Sequence, residues 1–186
     1  MPLSPKEAAE TLTSVEQAAR RSAQAFGYRN ASPYLILWGL IWVAGYAGTD
    51  LRPEYANLIW AVLVVLGGTV SFFLGRHCER TVGTACYKGG WRMLGLFALV
   101  FAFMAATYSI MWPVHGLQFG AFPALLVGAI YCGMGLWLGL RFVVTGALVM
   151  GLTLVGFFFL REHFMLWMAF VGGGGLILAG VWFRTV

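Results

Sequence analysis

The chain has 186 residues, 60% of them hydrophobic and 10% charged, with a mean hydropathy of +0.80 and a net charge of +5. Soluble domains carry about 25% charged residues, so the composition excludes a soluble enzyme, a disordered chain and a nucleic-acid partner, and predicts an all-α polytopic membrane bundle. Three cysteines are too few and too scattered for a disulfide framework.

The first thirty residues lack an apolar core and a small-residue cleavage site, so no signal peptide is expected. Ser4-Pro5-Lys6-Glu7 reads as a capping box opening a helix. Leu12, Val15, Ala19, Ala23 and Phe26 then recur at three- and four-residue steps, and Gly27 stands where the helix would stop. This is an amphipathic helix of about five turns. Its apolar residues Leu12, Val15, Ala19 and Phe26, with Arg20 and Arg21 on the other face, are the expected contact for a cytoplasmic protein partner or anionic lipid. Residues 1–32 are thus read as a cytoplasmic helix and connector, and 33–186 as the transmembrane domain.

Apolar runs of about 17–25 residues read as membrane spans. Six are predicted, at about 33–49, 55–75, 93–112, 117–140, 142–160 and 164–183, and none contains Asp, Glu, Lys or Arg. Ser32 is expected to cap the first, with Pro33 at its first position. Six spans put both termini on one side. Ten of the twelve Lys and Arg fall on that side, and only Arg52 and Arg161 on the other, so both termini are expected in the cytoplasm. Loop lengths set the neighbours. Residues 113–116 and 161–163 are short outer connections that make antiparallel pairs, and 76–92 is the one long inner loop. Tyr34, Tyr55, Trp91, Trp112 and Trp182 suit interfacial belts. The localisation that follows is the inner membrane of a bacterium.

A weak internal echo relates Ala31-Ser32-Pro33-Tyr34-Leu35 to Ala121-Phe122-Pro123-Ala124-Leu125, and the Phe-Phe-Leu endings of the second and fifth spans. A 3+3 inverted repeat of this kind is a common way to build a transporter; chance self-matching of an apolar alphabet would produce the same echo. Gly172-Gly173-Gly174-Gly175 in the sixth span has two readings: a helix broken at mid-membrane beside a solute path, or a face for close helix packing. Gly67, Gly68 and Thr69 could be its partner.

His77, Cys78, Glu79 and Cys86 are all residue types that bind zinc, but their spacing matches no paired motif and basic residues crowd them, so no metal and no cofactor is expected. His115 and His163 fall in outer loops, and no span holds a histidine for haem. Ser71, Ser109, Thr69, Thr107, Thr145 and Thr153 lie within spans with no base beside them, and are expected to bond backbone carbonyls. With no ionisable group at depth, the chain is not expected to be an enzyme.

The run from Ser32 to Tyr46, Ser-Pro-Tyr-Leu-Ile-Leu-Trp-Gly-Leu-Ile-Trp-Val-Ala-Gly-Tyr, resembles small bacterial six-span membrane proteins with no assigned function. In size and span count the chain is also similar to the acetate-uptake and urea-channel families. The Asn-Pro-Ala-Pro opening of the acetate family is absent, Ala31-Ser32-Pro33 being the nearest stretch, and no site is carried across. Two functions follow: a regulatory or scaffolding membrane protein that engages a cytoplasmic partner or anionic lipid through the N-terminal helix and the basic loop 76–92, or a channel or facilitator for a small neutral solute built on the 3+3 inverted repeat. Glycine-rich faces also suit a homo-oligomer.

Overall fold

A computed structural model describes the backbone of residues 5–82, 90–113 and 115–185, and the side chains in those ranges except at 5–10, 20, 78–82, 90–94, 96 and 97. Every regular element among them is helical: α1 Pro5–Leu51, α2 Ala56–Val82, α3 Gly90–Ile110, α4 Gly116–Leu138, α5 Leu140–Phe159, α6 Phe164–Trp167 and α7 Gly174–Phe183. Short 3-10 turns at Pro53–Tyr55 and Arg161–His163 link α1 to α2 and α5 to α6. A π-helical turn, Met168–Gly173, joins α6 to α7. Five stretches are long and apolar enough to cross a membrane: Thr11–Leu51, Pro53–His77, Gly116–Leu138, Leu140–Phe159 and Arg161–Phe183; Ala98–Ile110 of α3 is a shorter apolar helix. Large apolar side chains face outward from these helices, among them Leu66, Leu99, Phe158 and Leu178. That pattern suits a lipid solvent, where exposure of leucine carries no penalty.

Two expectations about the N-terminal region are corrected. The helix does not stop at Gly27, and Ser32 does not cap a new one, because α1 runs through both and through Pro33. Pro33 lacks the N–H that would bond the Arg29 carbonyl, but flanking contacts hold the helix together: Tyr28, Ser32 and Leu35 are all buried in the bundle. The connector expected before residue 33 is therefore helix. The expected inner loop 76–92 is also shorter, since α2 carries on to Val82 and α3 starts at Gly90. Cys78 thus lies on α2 rather than in a loop.

Main-chain proximity at glycines sets the packing. α4 and α5 form an antiparallel hairpin. A Cβ on Gly146 would stand 2.7 Å from the Cys132 nitrogen, and one on Gly128 would stand 2.9 Å from the Gly146 carbonyl. α1 lies antiparallel to α7 in the same way: a Cβ on Gly39 would stand 2.8 Å from the Gly173 carbonyl, and one on Gly180 would stand 3.0 Å from the Ser32 carbonyl. α2 packs on the other side of α1, where Gly45 and Gly48 accept Trp60 and Ile59. Small residues are what allow such approach between helices in lipid. One residue, Gly139, connects α4 to α5, with φ +115°. That conformation strains any side chain, and a Cβ there would collide with the Tyr28 hydroxyl.

Gly146→Ala is expected to force α4 and α5 apart and destabilise the bundle by about 1–3 kcal/mol. Gly151→Ala, with no atom within 4 Å of its added Cβ, should leave stability unchanged. Thermal unfolding of both variants in detergent measures the difference.

Candidate functional surface

The exposed part of α1 and the contacts that anchor it form the most distinctive surface. From Thr11 to Gln24, every residue with a described side chain is exposed. Leu12 is 64% exposed and Val15 59%, so an apolar stripe stands in the open. Ala19 and Arg21 are exposed with it, Phe26 is half-buried, and the Arg20 side chain lies outside the described residues. A helix this exposed has no packing to hold it, yet it continues without a break into the most buried part of α1.

Its anchor begins at Tyr28. The ring packs on Phe142 of α5 (centroids 5.7 Å apart) and Phe183 of α7 (5.0 Å), which pack on each other at 4.9 Å. The Arg141 guanidinium lies 5.5 Å from the centre of the Tyr28 ring and 4.8 Å from that of Trp182. It donates hydrogen bonds to the Trp182 carbonyl and the Thr185 hydroxyl. A cation at those last carbonyls of α7 complements the negative end of the helix. On the neighbouring face the buried Ser32 hydroxyl donates to the Gly180 carbonyl (2.7 Å) and accepts from Arg184 Nε (2.9 Å). Tyr28 and Ser32, one turn apart, thus fasten α1 to the α4–α5 turn and to the end of α7.

Sequence reasoning missed Tyr28 and Arg141 and gave Ser32 a different task. The signal for Tyr28 was present in its type: it is the one large aromatic between Phe26 and Tyr34. Its partners are more than a hundred residues away, which periodicity cannot reveal.

The tetraglycine is helical throughout, not broken. Gly172 and Gly173 are buried against Trp42 and Val43 of α1, whereas Gly174 and Gly175 have open space beside them. Gly67 packs on Ile41 and Trp38 of α1, and Gly68 meets nothing within 4 Å. The Thr69 hydroxyl donates to the Val65 carbonyl at 2.7 Å. Gly67 and the tetraglycine therefore meet different sides of α1. The described residues form a groove of about 430 Å³ along α2, lined by Val70, Phe73, Leu74, Arg76 and His77, and another of about 220 Å³ between α3, α4 and α5. Neither is lined by the tetraglycine.

Among the described residues, no group of three or more His, Cys, Asp and Glu could hold a metal. His77 is exposed near the end of α2; the side chains of Cys78 and Glu79, and the whole of Cys86, lie outside the described residues. His115 caps α4 in a reciprocal box with Gln118. His163 sits in the 3-10 turn before α6. Hydroxyls of Thr107, Thr145, Thr153 and Ser109 donate to backbone carbonyls three or four residues earlier. The Ser71 hydroxyl is buried without a hydrogen-bond partner. At the opposite end of the bundle Arg52 and Glu54 form an exposed ion pair at 3.5 Å, of the kind that contributes little.

Tyr28→Ala is expected to cost about 3–5 kcal/mol, as loss of a buried ring does, and Ser32→Ala about 1 kcal/mol through its two hydrogen bonds. Unfolding curves of the two variants, with Gln17→Ala as an exposed control that should not shift, test the anchor.

No protein-family model, curated protein or solved structure matches this chain.

Proposed function

We propose that the chain is a non-enzymatic scaffold of the bacterial inner membrane that holds residues 5–26 as a rigid helix for a cytoplasmic protein partner. Six spans with both termini in the cytoplasm fit this reading. Arg29, Arg76, Arg141 and Arg184 belong to the end of the bundle where Tyr28 lies, and Arg52 and Arg161 to the other, in keeping with a cytoplasmic excess of positive charge. α3 then serves as the third span.

The observation that carries the proposal is the continuity of α1. A 47-residue helix is about 70 Å long at 1.5 Å per residue, and the hydrocarbon core takes up about 30 Å. The remainder projects from the bundle with its apolar stripe uncovered. A helix evolved to lie on headgroups turns where it leaves its span; α1 stays helical there, which favours a protein partner over anionic lipid. The basic residues of 76–92 are left to anchor the bundle at the headgroups. The alternative, a channel for a small neutral solute, drew on the tetraglycine, and the packing of Gly172 and Gly173 on α1 lends it no support.

Deleting residues 2–24 spares Tyr28 and is expected to leave the unfolding temperature of the bundle unchanged while abolishing capture of the partner in cross-linked membranes. Recovery of the same partners by full-length and truncated protein would sink the proposal.

A further inference from the structure

Resting on that reading of α1, we infer that the partner of its apolar stripe is α1 of a second copy of this chain, lying parallel to it. Eighteen residues make about five full turns of an α-helix. Val15, Ala19, Ser22 and Phe26 therefore share a face with Pro33, Leu37, Leu40 and Ala44. Between residues 30 and 50, Leu40 and Ala44 are the two exposed positions, Leu40 at 56%. α7 and the π turn before it cover α1 at Ser32, Ile36, Gly39 and Val43, and α2 covers it at Trp38, Ile41, Gly45 and Gly48. The stripe runs along the side that neither covers. This face thus keeps one side of α1 from the projecting helix into the span, exposed at Val15 and Leu40, half-buried at Phe26, Pro33 and Leu37, and interrupted by the exposed Arg29.

A soluble partner could follow this face only as far as the headgroups. A membrane-embedded helix parallel to α1 can follow all of it. The chain itself supplies such a helix, inserted at the same depth and in the same direction, so identical residues come into register without a search. The spacing fits two strands: Leu12, Ala19 and Phe26 are seven residues apart, as are Ala8, Val15 and Ser22. Most of the charges of the projecting helix lie off this seam. Lys6, Glu10, Arg20 and Arg21 lie on the other side of the helix, and the flanking Thr11, Ala18, Ala23 and Ala25 are small and uncharged. Glu16 flanks the seam, and the exposed Arg29, seven residues after Ser22, falls on it; both side chains are long enough to carry their charge out to water.

The test is disulfide cross-linking of full-length protein in liposomes. Cys78, Cys86 and Cys132 are replaced by Ala, and one cysteine is placed by Val15→Cys or, on the opposite side, by Gln17→Cys. Val15→Cys is expected to form a dimer roughly tenfold faster, as a held pair outruns random collision. Adding Leu12→Glu should bring it down to the Gln17→Cys rate. Equal rates at the two positions, or none at either, overturn the pairing. If Val15→Cys in native membranes links instead to a different polypeptide, the second copy is wrong and the docking function stands. If it links to nothing and deletion of 2–24 has no effect, both fall.

Discussion

In hydrocarbon a leucine gains nothing by leaving lipid for protein, so helices must be drawn together by close contact of their main chains and by the few polar groups they carry. This bundle depends on that constraint. Gly128 with Gly146 joins α4 to α5, and Gly39 with Gly173 joins α1 to the π turn before α7. Once those backbones touch, the larger side chains have defined places. Trp42 covers Gly172, and Trp167 lies on Gly156 with its indole N–H donating to the Leu152 carbonyl at 2.8 Å. The Tyr46 hydroxyl reaches the Gly120 carbonyl at 2.7 Å. The glycines decide which helices are neighbours, and the aromatics fill what is left.

The same logic accounts for the anchor of α1. Gly139 lets the Tyr28 hydroxyl come up against the α4–α5 turn, and Arg141, two residues on, closes over the Tyr28 ring and binds the end of α7. The base of the projecting helix is thus tied to three others by aromatic, cation–π and hydrogen-bonded contact. Any load placed on the helix near Leu12 is carried to a root embedded in the core.

The long apolar helices were legible because an unbroken apolar run of that length, in a chain with so little charge, suits a bilayer. Their ends were less so. α2 continues past Arg76 because nothing in the run from His77 to Val82 forbids a helix, although its charge resembles a loop. Gly27 and Pro33 are local breakers, and both were overridden by tertiary packing at Tyr28, Ser32 and Leu35. The tetraglycine suggested either a break or a contact, and only partners could decide: Gly173 has Val43 against it, and Gly174 has none. The stripe from Leu12 to Phe26 was visible as periodicity. Its alignment with Leu40 and Ala44 was not, because that needs α1 to be one helix.

The single-residue link at Gly139 has a mechanical consequence. A hairpin with a long loop can let its helices slide past each other, one taking up the slack that the other gives. Here there is no slack. Axial shear between α4 and α5 would have to stretch one peptide unit, so the two move as a block. Any shape change in the bundle must occur at the seams around that block, such as the one where Tyr108 of α3 stacks on Phe119 of α4 and donates to its carbonyl at 2.9 Å.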